Sequence, residues 1–397
     1  MPTALKIDFM KDCKKVELGE ICEMFSGGTP DSENKDYYNG DIPFIRSAEI
    51  SGNKTLLYLS ESGYNNSSAK MVDYGDLLYA LYGANSGECA ISKQCGAINQ
   101  AILCIRSKNE SISYIYYILL NKKKRIISKY LQGGQGNLSA AIIKKIKINL
   151  PPIEEQEKIA EILSTQDKFI ELKQKLVDRK KQQKKWLMQN LLTGKIRLKG
   201  FEGEWEKVKL GEIGSTYAGL SGKTKEDFGH GKAKYIPYIN IFNNTFVDVS
   251  ALEDIEVDEK QNCVKKGDVF FTTSSETPEE VGMSSVLLQD VENTYLNSFC
   301  FGYRPEKIFD SIFLAFMLRS DLIRKQFKIL AQGISRFNIS KTKAMEDISI
   351  YIPVLEEQTA IAKILSAQDK EIELLEKELE QEKLKKKALM QLLLTVK

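Results

Sequence analysis

Pro151-Pro-Ile-Glu-Glu-Gln-Glu-Lys-Ile-Ala-Glu-Ile-Leu-Ser-Thr-Gln-Asp-Lys168 comes back as Pro353-Val-Leu-Glu-Glu-Gln-Thr-Ala-Ile-Ala-Lys-Ile-Leu-Ser-Ala-Gln-Asp-Lys370. Each copy reads as the opening of a helix. Proline punctuates the start, and the acids Glu154-Glu155 and Glu356-Glu357 fall in the first turn, where the helix dipole favours negative charge. A 3,4-spaced seam then runs through Ile159, Leu163, Gln166, Ile170, Lys173, Val177, Lys180, Lys184, Leu187 and Leu191. The second copy repeats it through Ile361, Leu365, Gln368, Ile372, Leu375, Leu379, Glu382, Lys386, Leu389 and Leu393. Six and seven of the ten positions are apolar, which is the pattern of a coiled-coil seam. About 38 helical residues span roughly 57 Å, longer than a single 150-residue domain is wide, so the two helices are expected to pair with each other. Gln166 and Gln368 share one seam position and are candidates for a polar register pin. The alternative is solvation at a frayed seam. The run Lys180-Lys181-Gln-Gln-Lys184-Lys185 reads as a solvated face or, more sharply, as a rail facing phosphates.

Working outward, the duplication covers the whole chain. Val16-Glu-Leu-Gly-Glu-Ile21 returns as Val208-Lys-Leu-Gly-Glu-Ile213, Ile42-Pro-Phe-Ile45 as Ile236-Pro-Tyr-Ile239, and Gly75-Asp-Leu77 as Gly267-Asp-Val269. Gln132-Gly133 matches Gln332-Gly333, and Asn137-Leu-Ser139 matches Asn338-Ile-Ser340. Two long modules in constant order form an internal repeat far too long in period for a solenoid. Ahead of each helix lie about 150 residues of short apolar runs broken by Gly, Asn, Asp and Pro, among them Asp76–Ala80, Ala101–Ile105 and Asp268–Thr272. These read as strands with tight turns, and a helix interrupts them near Ile112–Leu131 and Ser311–Leu330. The expected fold is α+β: two sheet-rich domains (1–150 and 200–352) joined by two long antiparallel coiled-coil helices (151–199 and 353–397) about a pseudo-two-fold.

Composition excludes several function classes. With 42% hydrophobic and 28% charged residues, the chain is that of a globular protein. No apolar run approaches the roughly 20 residues of a membrane span, and residues 1–15 lack a signal-peptide core. The expected location is therefore cytoplasmic, with no membrane partner. The seven cysteines form no C-x-x-C pair, so they read as reduced, mostly buried thiols. The lone His230, in a Gly-rich loop, argues against triads and His-rich metal sites. Gly222-Lys-Thr224 fails as a P-loop because Tyr217 stands where its first glycine belongs. No catalytic and no metal-binding residue is expected. Net charge is +3 overall but unevenly placed: residues 1–150 carry +4, 151–200 carry +5, 201–352 carry −5 and 353–397 carry −1. Local clustering, rather than bulk charge, must carry any nucleic-acid case.

With the repeat established, the sequence resembles the HsdS family, the specificity subunits of Type I restriction-modification enzymes, over its full length. The matching features are Leu18-Gly-Glu-Ile21 and its twin Leu210-Gly-Glu-Ile213, Phe201-Glu-Gly-Glu-Trp205, Gly27-Gly-Thr-Pro30 and Gly40-Asp-Ile-Pro-Phe44. The Pro-x-x-Glu-Glu-Gln helix starts and Leu191-Leu-Thr-Gly-Lys195 complete the set. The second copy departs at Gly219-Leu-Ser-Gly222 and ends at Leu393-Leu-Thr395 without the following Gly-Lys. The resemblance implies two target recognition domains, each reading half of an asymmetric, interrupted site in double-stranded DNA. It implies two methyltransferase subunits, methylating adenine with S-adenosylmethionine, and motor-nuclease subunits using ATP and Mg²⁺. None of those cofactors is expected on this chain. A stiff helix pair would fix the unread spacer, because one inserted base pair rotates a half-site by about 34–36° at 10–10.5 base pairs per turn. Two alternatives stay open: a methylation-only or orphan specificity subunit, and a coiled-coil scaffold whose sheet domains bind protein.

The residues expected to touch DNA lie in loops where glycine allows close backbone approach and where Gln, Asn or Arg offers bidentate groups for base edges. They are Gln132, Gly133, Gln135 and Asn137 in the first module, and Gln332, Ser335, Arg336 and Asn338 in the second, with Arg336 the leading base reader. Further loop candidates are Gly28, Thr29, Arg46, Asn85 and Ser86, and then Lys223, Lys225, Ser274 and Ser275. Lys122, Lys123, Lys124 and Arg125 form a candidate phosphate clamp, the alternative being a solvated helix end. Lys232, Lys234, Lys341 and Lys343 are the remaining local cations of the acidic second module.

Overall fold

The computed structural model describes residues 13–130 and 137–395. It divides into two compact units, residues 1–174 with 378–397 and residues 175–377. The units cut across the four segments read from the sequence because each long helix contributes to both. A helix of that length buries one stretch of its seam against one head and the next against the other.

The first unit is built on an antiparallel sheet in the order Cys22–Ser26, Ile102–Ser107, Leu77–Ala80, Cys89–Ile91. A second, mixed sheet runs Leu57–Leu59, Tyr38–Ile45, Gly96–Ile98, Lys70–Val72, with the middle pair parallel. Strands Lys14–Glu17 and Lys147–Leu150 pair antiparallel and bring the two ends of the head together. The second unit repeats the plan: Gly214–Ala218, Cys300–Pro305, Val269–Thr272, Ser284–Val286 in one sheet, and Glu253–Ile255, Phe228–Ile236, Thr294–Leu296 in the other. Glu206–Lys209 with Ser349–Ile352 closes that head. The inner strands Leu77–Ala80 and Val269–Thr272 are buried at every position, as expected for strands covered on both faces.

One helix per head was expected. The first is continuous, Ile112–Tyr130. The second breaks into Ser311–Leu318 and Asp321–Leu330. At the break, Ser320 is extended and Arg319 turns inward to donate to the carbonyls of Ser284 (2.6 Å), Ile241 (2.8 Å), Phe242 (3.0 Å) and Asn244 (2.8 Å). Burial, and then the neighbouring Arg324, lower the Arg319 pKa to about 10. Four carbonyl dipoles replace the water that the guanidinium gave up.

The long helices are Ile153–Leu191 and Leu355–Leu394. All twenty seam positions named above are buried or half-buried. Within the first unit Asp167 meets Lys386 at 2.5 Å and Lys173 meets Glu378 at 2.6 Å. Within the second, Lys180 meets Glu371 at 2.7 Å and Lys184 meets Asp369 at 2.5 Å. Numbers rise along one helix as they fall along the other, so the pairing is antiparallel in each unit. Lys181 also pairs with Glu376, at 2.6 Å. Three of the four lysines of the run therefore pair with acids of the facing helix; Lys185 alone stays exposed and unpaired among the described residues. Gln166 bonds across the seam, to the Glu382 carboxylate (2.7 Å) and carbonyl (3.1 Å). Gln368 instead bonds Glu371 of its own helix at 3.1 Å, so only the first of the expected pins bridges.

The Pro-x-x-Glu-Glu-Gln starts have a mechanical reason. Gln156 and Gln358 are buried. Each donates from Nε2 to the prolyl carbonyl five residues back, at 2.9 Å (Pro151, Pro353). Each accepts at 3.1 Å from a backbone N–H of the head, Ser111 or Asp310. The glutamine thus welds the helix to the head it serves. Gln358→Ala strands the Asp310 N–H and the Pro353 carbonyl, and a loss of roughly 1–2 kcal/mol is expected. Urea unfolding of the full chain checks this, and an unchanged midpoint would contradict it. At the other end of the first long helix, Gly194 takes a left-handed φ of +67°, the conformation of a helix stop. Arg197 and Trp205 beyond it then reach the buried Glu357 (two bonds at 2.7 Å, one at 3.2 Å).

Candidate nucleic-acid interface

In the second unit the chain brings two distant loops together. Ser274-Ser275 pairs antiparallel with Phe337-Asn338, and Gln332 and Asn338 exchange backbone hydrogen bonds at 2.9 and 2.8 Å. The closed loop requires Gly333: its φ is +144°, and a Cβ there would meet the Arg336 carbonyl at 2.0 Å. Arg336 lines a cleft of about 450 Å³ with Tyr238, Ser274, Glu276, Glu280 and Phe299. Among the described residues no carboxylate lies within ion-pair distance of Arg336, and its side chain is exposed. Gln332, Ser335 and Asn338 are exposed on the same loop. Ser274 is held through its carbonyl by the Tyr238 hydroxyl (2.8 Å). Ser275 also lines the cleft, largely buried, and donates to Glu280 at 3.0 Å. Arg324 fixes the same wall by donating to the Gly282 and Glu279 carbonyls (2.5 and 2.9 Å). Burial holds its pKa down at about 10.

Sequence reasoning missed three side chains here. Ile239 and Phe299 line the cleft, 58% and 59% exposed, and Ile334 at the tip of the Arg336 loop is 97% exposed. Apolar groups beside a guanidinium suit a surface that meets thymine methyls as well as guanine edges. The available signal was Ile334 inside an otherwise polar loop; Ile239, on the helix Tyr238–Asn243, and Phe299 carried none.

Other second-unit candidates are committed elsewhere. Lys223, 12% exposed, pairs with Asp258 (3.1 Å) and Asp227 (3.7 Å), and Lys234 pairs with Asp254; neither is a free cation. Lys225, Lys232, Lys341 and Lys343 are exposed and without an ion pair among the described residues.

In the first unit, Asn85 and Ser86 form the turn between Leu77–Ala80 and Cys89–Ile91, with Ser86 donating to the Gly83 carbonyl at 3.0 Å. Exposed Asn137 stands next to Leu138, whose N–H donates to the Leu81 carbonyl at 3.1 Å. Residues 137–138 therefore adjoin that turn, as Asn338–Ile339 adjoin Thr273 in the second unit. Gln132, Gly133 and Gln135 lie outside the described residues. Thr29 is exposed and donates to Gln100 at 2.6 Å. Two candidates are corrected. Gly28 is buried, and a Cβ there would strike Ser68 Oγ at 1.8 Å, so it is glycine for packing. Arg46 is clamped on Glu49 through two bonds, at 3.2 and 3.1 Å. Its counterpart Asn240 likewise closes a turn, donating to the Asp248 carbonyl at 2.8 Å. In both copies that position braces a loop. Lys123 pairs with Glu88, Lys124 is exposed, and Lys122 and Arg125 occupy another face of the helix.

Cys22, Cys89, Cys104 and Cys300 are buried, whereas Cys95 and Cys263 are exposed. Burial pushes the thiols of Cys89 and Cys300 up to about 12. His230 is exposed and bonded to Glu256 and to the Glu226 carbonyl (3.0 and 2.8 Å). Among the described residues no group of three or more His, Cys, Asp or Glu could hold a metal ion, and no helix is long and apolar enough to cross a membrane.

Comparison with known proteins gives one consistent neighbourhood. The family model of the Type I restriction modification DNA specificity domain matches twice, over residues 10–179 and 202–383. The MjaVIII specificity subunit of Methanocaldococcus jannaschii is 30% identical, over 98% of this chain and 93% of its own. The EcoR124I/EcoR124II specificity subunit of Escherichia coli is 27% identical over 38% of this chain and 39% of its own. In fold, the S subunit of a Type I system from M. genitalium superposes with a TM-score of 0.60 at 17% identity, covering 99% of this chain and 98% of that one. The HsdS subunit of Thermoanaerobacter tengcongensis does so with 0.51 at 18%, covering 97% and 96%. Matched by that family model in both of its halves, the chain belongs to the Type I restriction modification DNA specificity domain family.

Proposed function

We propose that the chain is the DNA-reading subunit of a cytoplasmic Type I restriction-modification complex, each head reading one half of an asymmetric, interrupted site. The observation that carries this is one scaffold built twice with unlike loops at the same place. The second head offers an unpaired Arg336 beside apolar side chains, and the first offers Asn85, Ser86 and Asn137 at the corresponding junction. Equal heads would read equal half-sites, and unlike heads read unlike ones. Proteins of this family are specificity subunits that work with other subunits on DNA. The finer arrangement in our reading is two methyltransferase subunits, carrying S-adenosylmethionine to an adenine flipped out of the stack, and motor-nuclease subunits carrying ATP and Mg²⁺. In this reading the chain itself holds no cofactor and does no chemistry, and its helix length sets the unread spacer.

The test is a head exchange. Strand Lys14–Glu17 lies against Lys147–Leu150, so both ends of residues 14–150 sit side by side and the segment can be swapped with little strain. Replacing it with the matching segment of another specificity subunit is expected to change one half of the methylated sequence in the host and leave the other half and the spacer as they were. Change in both halves, or in neither, would overturn the reading. A complex that binds all duplexes alike would favour the scaffold alternative.

A further inference from the structure

Two copies of one scaffold expose what the fold did not require: a place where they agree in backbone and differ in chemistry. In the first unit the C-terminal half of helix Ile112–Tyr130 faces the strand pair Lys14–Glu17/Lys147–Leu150 across an open cleft of about 460 Å³. Lys15, Lys122, Arg125, Lys129, Lys145 and Lys147 line it. Glu17 reaches Lys147 at 3.6 Å; the other five cations have no ion-pair partner among the described residues. Residues 101–150 hold ten Lys or Arg against a single acid, Glu110. The crowding registers on Lys122, whose pKa is held below the ordinary lysine value by burial and then by Arg125 and Lys15.

The same place in the second unit is the strand pair Glu206–Lys209/Ser349–Ile352 and the helix Asp321–Leu330. There the six positions carry Lys207, Leu322, Lys325, Ile329, Asp347 and Ser349. Gln326 fills the gap, donating to the Ser349 carbonyl and accepting from its N–H, both at 2.9 Å. The fold is thus satisfied without the cations. Gathering like charges around a cavity costs free energy in the empty protein, and an anion sharing the cavity returns it. Leu138 is tied to the Tyr82–Ser86 turn through Leu81. The helix that carries three of the cations also packs Ile127 and Lys123 against Gly87 and Glu88 beside that turn, and the anions a DNA-reading turn would meet are phosphates.

We propose that the cleft formed by Lys15, Lys122, Arg125, Lys129, Lys145 and Lys147 grips the phosphate backbone of DNA beside the half-site read by the first unit, and that the second unit has no equivalent grip. The inference rests on the DNA-reading function above and deepens it. The complex would gain at this place in the first head a sequence-independent, salt-sensitive grip that the second head lacks there.

The test uses the full chain assembled with its partner subunits, carrying Lys122→Gln, Arg125→Gln and Lys129→Gln together. Equilibrium binding is measured across a potassium chloride series, on a duplex bearing the methylated sequence and on a scrambled duplex. The slope of log affinity against log salt is expected to fall by about 0.9 for each phosphate that is no longer neutralised, so by roughly one to three. Both duplexes should weaken alike, and the methylated sequence should not change. Lys325→Gln in the second unit should leave the slope as it was; an equal fall there would refute the asymmetry. An unchanged slope with weakened subunit assembly would assign the cleft to an acidic protein surface and overturn the proposal. If the triple variant does not fold, exposed Lys129→Gln alone is read by the same criterion, a slope change near one against none. Failure of the DNA-reading function would show separately, as an unmodified complex with no preference between the two duplexes.

Discussion

Asp268→Ala is expected to lower the stability of the second unit by about 3 kcal/mol, the low end of the cost of breaking a buried ion pair. The carboxylate is 1% exposed and takes four hydrogen bonds: Arg304 Nε (2.7 Å) and Nη2 (2.6 Å), the Tyr217 hydroxyl (2.5 Å) and the Lys265 N–H (2.8 Å). Those partners come from two neighbouring strands and the turn that leads into Val269–Thr272, so one side chain ties the centre of the sheet. The low end applies because the Arg304 side chain keeps 36% of its surface and can be rehydrated once its partner is gone. Guanidinium unfolding followed by tryptophan emission reads this unit selectively, since both tryptophans, Trp186 and Trp205, lie within it. A midpoint within experimental error of the unmodified chain would show that the pair is dispensable. The first unit repeats the device with Asp76 and Arg106 (2.9 and 2.6 Å), adding Asp73 as a second acid at 2.7 Å. Asp76→Ala should therefore cost less, because Asp73 stays beside the guanidinium.

Arg336→Ala is expected to relax the sequence requirement at one base position by about 1–3 kcal/mol, up to two orders of magnitude in preference. The guanidinium is exposed and unpaired on a loop that Gly333 and the Gln332–Asn338 bonds hold closed, so the backbone is ordered before binding and the side chain's own rotamer freedom is the main ordering cost. A planar fork in that setting matches guanine O6 and N7. Methylome sequencing of a host carrying the variant reads the outcome. A degenerate position at one site of one half-site supports base reading. Uniform weakening across all sequences would make Arg336 a phosphate ligand. Arg336→Lys separates the two further: lysine keeps the charge and loses the bidentate geometry, so a base reader is damaged and a phosphate ligand is largely spared.

These side chains also mark how far the sequence could be read. The duplication, the helix starts and the seam were legible because their signals are local: proline, paired acids and a 3,4 rhythm over adjacent turns. The buried glutamines of those starts were visible as a motif, but not their partners Ser111 and Asp310, which lie more than 40 residues away. Arg46 and Lys223 were named as ligand-facing because both are cations in polar loops. The acids that neutralise them are equally ordinary in sequence, and only folding decides which meets which. The lysine run on the first long helix looked like free charge because its acids stand on a helix some 190 residues later.

By itself the sequence determined that this protein has two similar heads of mixed sheet and helix, each followed by a long helix with a seam. Periodicity and capping act between neighbours in the chain and need no knowledge of the rest. The tertiary structure alone decided which charges are spent inside the protein and which face outward. It set Arg319 against four carbonyls, Lys180 and Lys184 against acids, Ser274 beside the Arg336 loop, and six cations around one cleft of the first head. Those pairings depend on distances closed across tens to hundreds of residues, where electrostatic and packing energies belong to the fold and leave no local mark.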